Sequence, residues 1–170
     1  MTPSSKPAPA PAVAAGELIA LAIARRVTIG SAESCTGGMI AAALTDVPGA
    51  SQAFWGSVIS YDNTVKMGVL GVRADTLDSV GAVSQEVALQ MAAGACHSLG
   101  VDFAVSTTGI AGPDGGTPRK PVGTVWIGVA GHGTQLARLY HFEGNRSQIR
   151  QAATAAALKE LLCFIQDQLS

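Results

Sequence analysis

A serine between a short strand and a pair of glycines is well placed to attack a carbonyl, and Ser34 occupies such a position in Ala32-Glu33-Ser34-Cys35-Thr36-Gly37-Gly38. A helix starting just after it would aim backbone N–H groups and partial positive charge at a developing oxyanion. The same residues also fit a plainer role, with Ser34 or Thr36 simply capping that helix. Cys35 is a second candidate nucleophile, although a free cysteine more often packs as a small hydrophobe.

Two further segments carry chemistry. In Tyr61-Asp62-Asn63-Thr64-Val65-Lys66 a lysine follows a strand end. Desolvated in a cleft, its amine would lose its proton more readily and act as a general base. Exposed, it would be an ordinary surface lysine, and Tyr61 an ordinary strand residue. The run from Thr107 to Gly123 is rich in glycine and holds Thr108, Gly109, Gly112, Arg119 and Lys120. Its N–H groups, hydroxyls and cations would suit an anion, yet it matches neither the P-loop nor the dinucleotide fingerprint. An ordered surface loop explains it as well. Arg146 is a further phosphate ligand by chemistry, since a guanidinium engages phosphate through two N–H groups. His97, His132 and His141 lack metal-ligand spacing, though a Ser-His-Asp triad through one of them stays open.

The elements that must position these groups follow from periodicity. Leu18, Leu21, Ala22 and Arg25 have helical spacing, and Val27-Thr28-Ile29 reads as a buried strand leading to Ser34. A helix through Met39, Ile40, Ala43 and Leu44 ends at Thr45–Gly49. Phe54–Tyr61 reads as a strand. Asp62 or Asn63 would cap a short helix carrying Lys66, and Ser84 a longer one closed by Gly100. Asp102–Thr107 is a strand, Val122–Val129 and Gln135–Phe142 a hairpin, and Asn145 the cap of a last helix. Helices alternating with strands, then paired strands, give an α/β fold with a mixed sheet.

Composition excludes several classes. The 170 residues fit one domain, and 48% hydrophobic against 14% charged residues allows a sizeable core. A net charge of -1 supplies no field for generic nucleic-acid binding. The three cysteines form no CxxC pair, which argues against a disulfide framework or structural zinc and for a reducing, cytoplasmic setting. No apolar run is long enough for a membrane span. Prolines break up residues 1–15, which read as a flexible tail before a single domain over 16–170.

Taken in order, these segments resemble the CinA C-terminal domain family. Ala32–Gly38, Thr45–Ser51, Tyr61–Lys66, Gly81–Ser84, Thr108–Gly116, Lys120–Val125 and Phe142–Arg146 match its motifs. Asp62 stands where serine is usual, and Asn145 where aspartate is commoner. The resemblance covers nearly everything after the first residues. It implies a three-layer α/β/α sandwich with a mixed, mostly parallel sheet, in a homo-oligomer. The implied activity is that of a nicotinamide-nucleotide amidase, with a pyridine nucleotide as small-molecule substrate and no metal or other cofactor. It implies Ser34 as nucleophile, Lys66 as its base and Tyr61 nearby. Glu33, Cys35, Thr36, Gly37 and Gly38 would surround the oxyanion, and Thr108, Gly109, Gly112 and Arg146 the substrate. Not every relative has shown turnover, so a non-catalytic nucleotide-binding domain is the alternative. The carboxylate of Asp62 would favour the charged form of Lys66 and so oppose its role as a base.

Overall fold

A computed structural model describes residues 10–170. The chain runs α1 (Pro11–Arg25), β1 (Ile29–Glu33), α2 (Met39–Thr45), a 3-10 turn (Ala50–Gln52), β2 (Phe54–Ile59) and α3 (Asn63–Leu70). It continues through α4 (Ala74–Val80), α5 (Gln85–Leu99), β3 (Phe103–Gly109), β4 (Thr124–Gly131), β5 (Thr134–His141) and α6 (Arg146–Gln168).

The five strands form one sheet in the order β2-β1-β3-β4-β5. β1 pairs parallel with β2 and with β3. β3–β4 and β4–β5 are antiparallel. The sheet is therefore half parallel, where a mostly parallel one was expected. The cause is local: the Gly109–Gly123 loop reverses the chain within the sheet instead of sending it through a crossover helix.

Helices cover both faces. On one side α1, α2 and α6 pack Leu18, Ile40, Leu158 and Leu161 against Ile29, Phe103, Val105 and Ile127. On the other, Val87, Met91 and Ala95 of α5 and Leu70 of α3 meet Ala32 and Ala104. β1 is buried along its whole length, as befits a parallel strand covered on both faces. The result is the three-layer α/β/α sandwich.

The expected caps are present. Asp62 accepts from Thr64 N–H at the start of α3, Ser84 from Val87 N–H at α5, and Asn145 forms a capping box with Gln148 at α6. Two expectations need correction. The segment read as tail to residue 15 turns helical at Pro11, and Ala14 and Ala15 are buried. Proline at a first helical turn loses no hydrogen bond, and alanine then propagates the helix. The remainder of the expected tail, residues 1–9, lies outside the described residues. The helix α4 was not foreseen, because it buries no residue and so carries no apolar stripe.

Candidate active site

Ser34 emerges where β1 ends, at the edge of a cleft above the parallel strands. Its N–H donates to Thr107 O at 3.0 Å, which ties the strand end to β3. The chain then turns tightly, with Gly37 N–H donating to Ser34 O at 3.1 Å and Met39 N–H to Thr36 O at 3.2 Å. Gly37 and Gly38 take φ of +58° and +101°, which a side chain would resist.

Lys66 comes from α3, whose buried face carries Lys66 and, one turn on, Leu70. The residue is 1% exposed. Its Nζ lies 2.7 Å from Ser60 O, 3.2 Å from Tyr61 O and 3.1 Å from Ser34 Oγ. The two carbonyls can only accept. An ammonium has three N–H groups to share out, whereas a neutral amine has two and a lone pair. With the carbonyls taking two N–H groups, the Ser34 contact is the position at which the two states differ. There an ammonium donates to Oγ, and an amine accepts the hydroxyl proton. Burial pushes the Lys66 pKa below the ordinary lysine value, and the nearby Asp62 carboxylate only partly opposes this. Asp62 is solvent-exposed, so water screens its charge. Its oxygen is also engaged with Thr64 N–H at 2.8 Å and Thr64 Oγ1 at 2.6 Å.

The cleft has a volume of about 210 Å³ and is lined by Ser34, Cys35, Tyr61, Asn63, Lys66, Thr108, Gly109 and Arg146, with Ala82, Val83 and Ala111. Arg146, at the start of α6, donates to Gly112 O at 2.7 Å and to Tyr61 Oη at 3.1 Å. Tyr61 is 63% exposed and stands at the mouth. Its carbonyl faces the lysine while its hydroxyl faces the arginine. Thr108 Oγ1 donates to Ala82 O at 2.7 Å and so ties the Gly81–Ser84 turn to β3. The Cys35 thiol is buried, and its pKa is pushed up to about 11, chiefly by desolvation.

Glu33, expected beside the oxyanion or substrate, is fully buried and does not line the cleft. Its carboxylate accepts from Thr36 Oγ1 at 2.7 Å and from the N–H groups of Gly38, Ile40 and Ala41 at 2.9, 3.1 and 2.9 Å. Ser57 Oγ adds a contact at 3.2 Å. It therefore neutralises the N-terminus of α2 from inside the protein. This corrects the expected set of oxyanion donors. Gly38 N–H is taken by Glu33, and Gly37 N–H by Ser34 O. Among the described residues, the Cys35 and Thr36 N–H groups donate to no other residue's main chain. Of these two residues, only Cys35 lines the cleft.

Sequence reasoning missed Arg150. Its Nε donates to Cys35 O at 3.0 Å and its Nη2 to Thr36 O at 2.9 Å. A signal was available, since Arg150 lies one turn after Arg146 on α6 and shares its face. Asn63 and the main-chain acceptors Ser60 O and Tyr61 O were also missed. No motif signals a carbonyl.

Among the described residues no helix is long and apolar enough to cross a membrane, and no group of three His, Cys, Asp or Glu is placed to hold a metal ion.

Known proteins resemble this chain in sequence and in fold. A CinA-like protein of Leptospira borgpetersenii is 51% identical over 138 residues, 81% of this chain and 33% of its own length. One from Thermotoga maritima is 46% identical over 142 residues, 84% of this chain and 35% of its own. The chain thus spans about a third of the length of these relatives. The crystal structure of competence/damage inducible protein CihA from Agrobacterium tumefaciens superposes with a TM-score of 0.89 at 37% identity, covering 95% of this chain and 99% of that one. A CinA superfamily protein from Escherichia coli gives 0.90 at 30% identity, covering 95% and 94%. The family model described as the CinA C-terminal domain matches residues 12–165. With that match running from α1 into α6 and across every strand of the described residues, the chain belongs to the CinA C-terminal domain family.

Proposed function

We propose that this domain is a nicotinamide-nucleotide amidase that converts nicotinamide mononucleotide and water to nicotinic acid mononucleotide and ammonia. The observation that carries the reading is the 3.1 Å contact between Lys66 Nζ and Ser34 Oγ inside a desolvated pocket. The substrate itself is inferred from the family resemblance.

Neutral Lys66 takes the hydroxyl proton as Ser34 Oγ bonds to the carboxamide carbon. The oxyanion is met by Cys35 N–H. Lys66, now charged, returns its proton to the departing nitrogen, the C–N bond breaks and ammonia leaves. Water then attacks the ester and gives its proton to Lys66. The acid product departs as Ser34 recovers its hydrogen. Tyr61 is the alternative proton donor to the leaving nitrogen. Its hydroxyl accepts from Arg146 at the mouth, whereas Lys66 Nζ already touches Ser34 Oγ, so Lys66 is the better-placed donor. Arg146 uses two of its five N–H groups within the protein and offers the rest to the phosphate at the mouth.

The deciding assay measures ammonia from nicotinamide mononucleotide with the native chain and with Ser34→Ala. The variant is expected to lose ~10⁴-fold or more. Native-level ammonia from Ser34→Ala would refute the scheme. Thermal stabilisation of the native chain by the nucleotide, without ammonia, would instead identify a binding domain.

A further inference from the structure

Among the described residues, one buried side-chain oxygen has no hydrogen-bond partner, Ser60 Oγ. The residue is fully enclosed. Its main chain is well engaged: Ser60 N–H donates to Glu33 O at 2.8 Å, and Ser60 O accepts from Lys66 Nζ at 2.7 Å. A buried hydroxyl left unpaired costs free energy, which an alanine at the same place would avoid. Beside a reacting centre, such a group points to a partner acquired during the reaction.

The register of the sheet identifies that partner. β1 and β2 run parallel, with Ala32 beside Val58 and Glu33 beside Ile59. The bond from Ser60 N–H to Glu33 O carries this ladder one step on and sets Ser60 beside Ser34. Side chains alternate between the two faces of a sheet. Ser34 and Ser60 therefore share the face of Ala32 and Val58, which α3 and α5 cover. It is also the face on which Lys66 of α3 reaches Ser34 Oγ. The same two strands show how neighbouring serines meet. Ser31 and Ser57 are register partners on the opposite face, and Ser31 Oγ donates to Ser57 Oγ at 2.8 Å.

We propose that Ser60 is an auxiliary donor to the nucleophile: a turn about its Cα–Cβ bond brings its O–H onto Ser34 Oγ as that oxygen gives its proton to Lys66. Negative charge builds on Oγ at that moment, and a hydrogen bond to a charged acceptor is stronger than one to a neutral hydroxyl. An interaction made only in the transition state raises kcat without tightening substrate binding. Ser60 O and Tyr61 O go on holding Lys66, so the new bond takes none of its N–H groups. Ser60 does not line the cleft, so it acts on Ser34 and not on substrate. The proposal rests on Ser34 being the nucleophile and adds a second hydroxyl to the Ser34–Lys66 pair.

The test compares the native chain with Ser60→Ala and Ser60→Cys. Cysteine is close to serine in size but a weak donor, so it separates a lost hydrogen bond from lost volume. The first readout is ammonia release from nicotinamide mononucleotide. Both variants are expected to lower kcat by about 10–100-fold at every pH, with KM within about twofold. Ser60→Ala should unfold at a denaturant concentration no lower than the native chain. The second readout is the rate at which a fluorophosphonate labels Ser34, followed by mass spectrometry. It is independent of the natural substrate and should fall in parallel. Equal labelling of native chain and Ser60→Ala would overturn the donor role and leave the amidase reading standing. A loss that disappears at high pH would overturn it too, by placing the effect on the Lys66 pKa. So would native rates in Ser60→Cys, or lowered rates that come with a lowered unfolding midpoint, since either assigns Ser60 to packing. Native chain that labels at Ser34 but releases no ammonia would sink the substrate reading alone, and the labelling rates would still decide the role of Ser60. Native chain that fails to label at Ser34 would overturn both.

Discussion

Ser34 and Lys66 are 32 positions apart in the chain and 3.1 Å apart in space. A hydroxyl and an amine at that distance react only if the amine is unprotonated, and burial supplies the bias. The sign is simple. A lysine with a lowered pKa is charged below it and basic above it, so turnover should rise with pH through that value. Asp62 shapes the midpoint. Its carboxylate favours the charged amine, so Asp62→Ser, which keeps a capping oxygen, should move the rising limb to lower pH; a shift the other way would remove Asp62 from the electrostatics. Cys35→Ala should cost at most a few-fold in kcat, since the thiol is held neutral and the proposed scheme uses only the Cys35 N–H. A loss as large as that of Ser34→Ala would make the thiol the nucleophile. Ser34, Lys66, Tyr61 and Arg146 were legible in sequence as motifs, whereas Arg150 was not. Their division of labour was not, because Glu33 and Arg150 act through hydrogen bonds to main-chain atoms, which leave no trace in residue spacing.

The elements meet the chemistry through their ends. β1 delivers Ser34 at its C-terminus, α3 turns Lys66 inward, and α6 brings Arg146 and Arg150 on one face. The buried Glu33 carboxylate replaces water at the N-terminus of α2. Glu33→Gln should cost about 2 kcal/mol of stability in denaturant unfolding, because an amide nitrogen would face N–H donors and the charge-assisted bonds would be lost. A change below about 0.5 kcal/mol would show that the loop rearranges at little cost. α3 is also pressed onto α5, where a Cβ at Gly94 would lie 1.9 Å from Leu70 O. Backbone cannot yield as a side chain does, so Gly94→Ala should destabilise by about 2 kcal/mol or more and shift Lys66 with α3. Helix caps were readable at Asp62, Ser84 and Asn145 because capping is local chemistry. α4 was not, since a seven-residue helix with no fully buried side chain has too little apolar period to detect.

At the scale of the whole molecule, the two cores on either side of the sheet hold the cleft between them. Ser34 rides on a strand buried on both faces, while Lys66 belongs to the α5 side and the arginines to the α6 side. The α/β class with a mixed sheet was evident from alternating helices and strands, and the three layers from the family resemblance. The balance of parallel and antiparallel pairs was not, because it depends on whether the glycine-rich loop returns within the sheet. The pH dependence of kcat/KM for ammonia release bears most directly on the proposed chemistry. Activation by a desolvated amine requires one rising limb centred well below the ordinary lysine value. A profile flat through that range, or one that falls as pH rises, would contradict it.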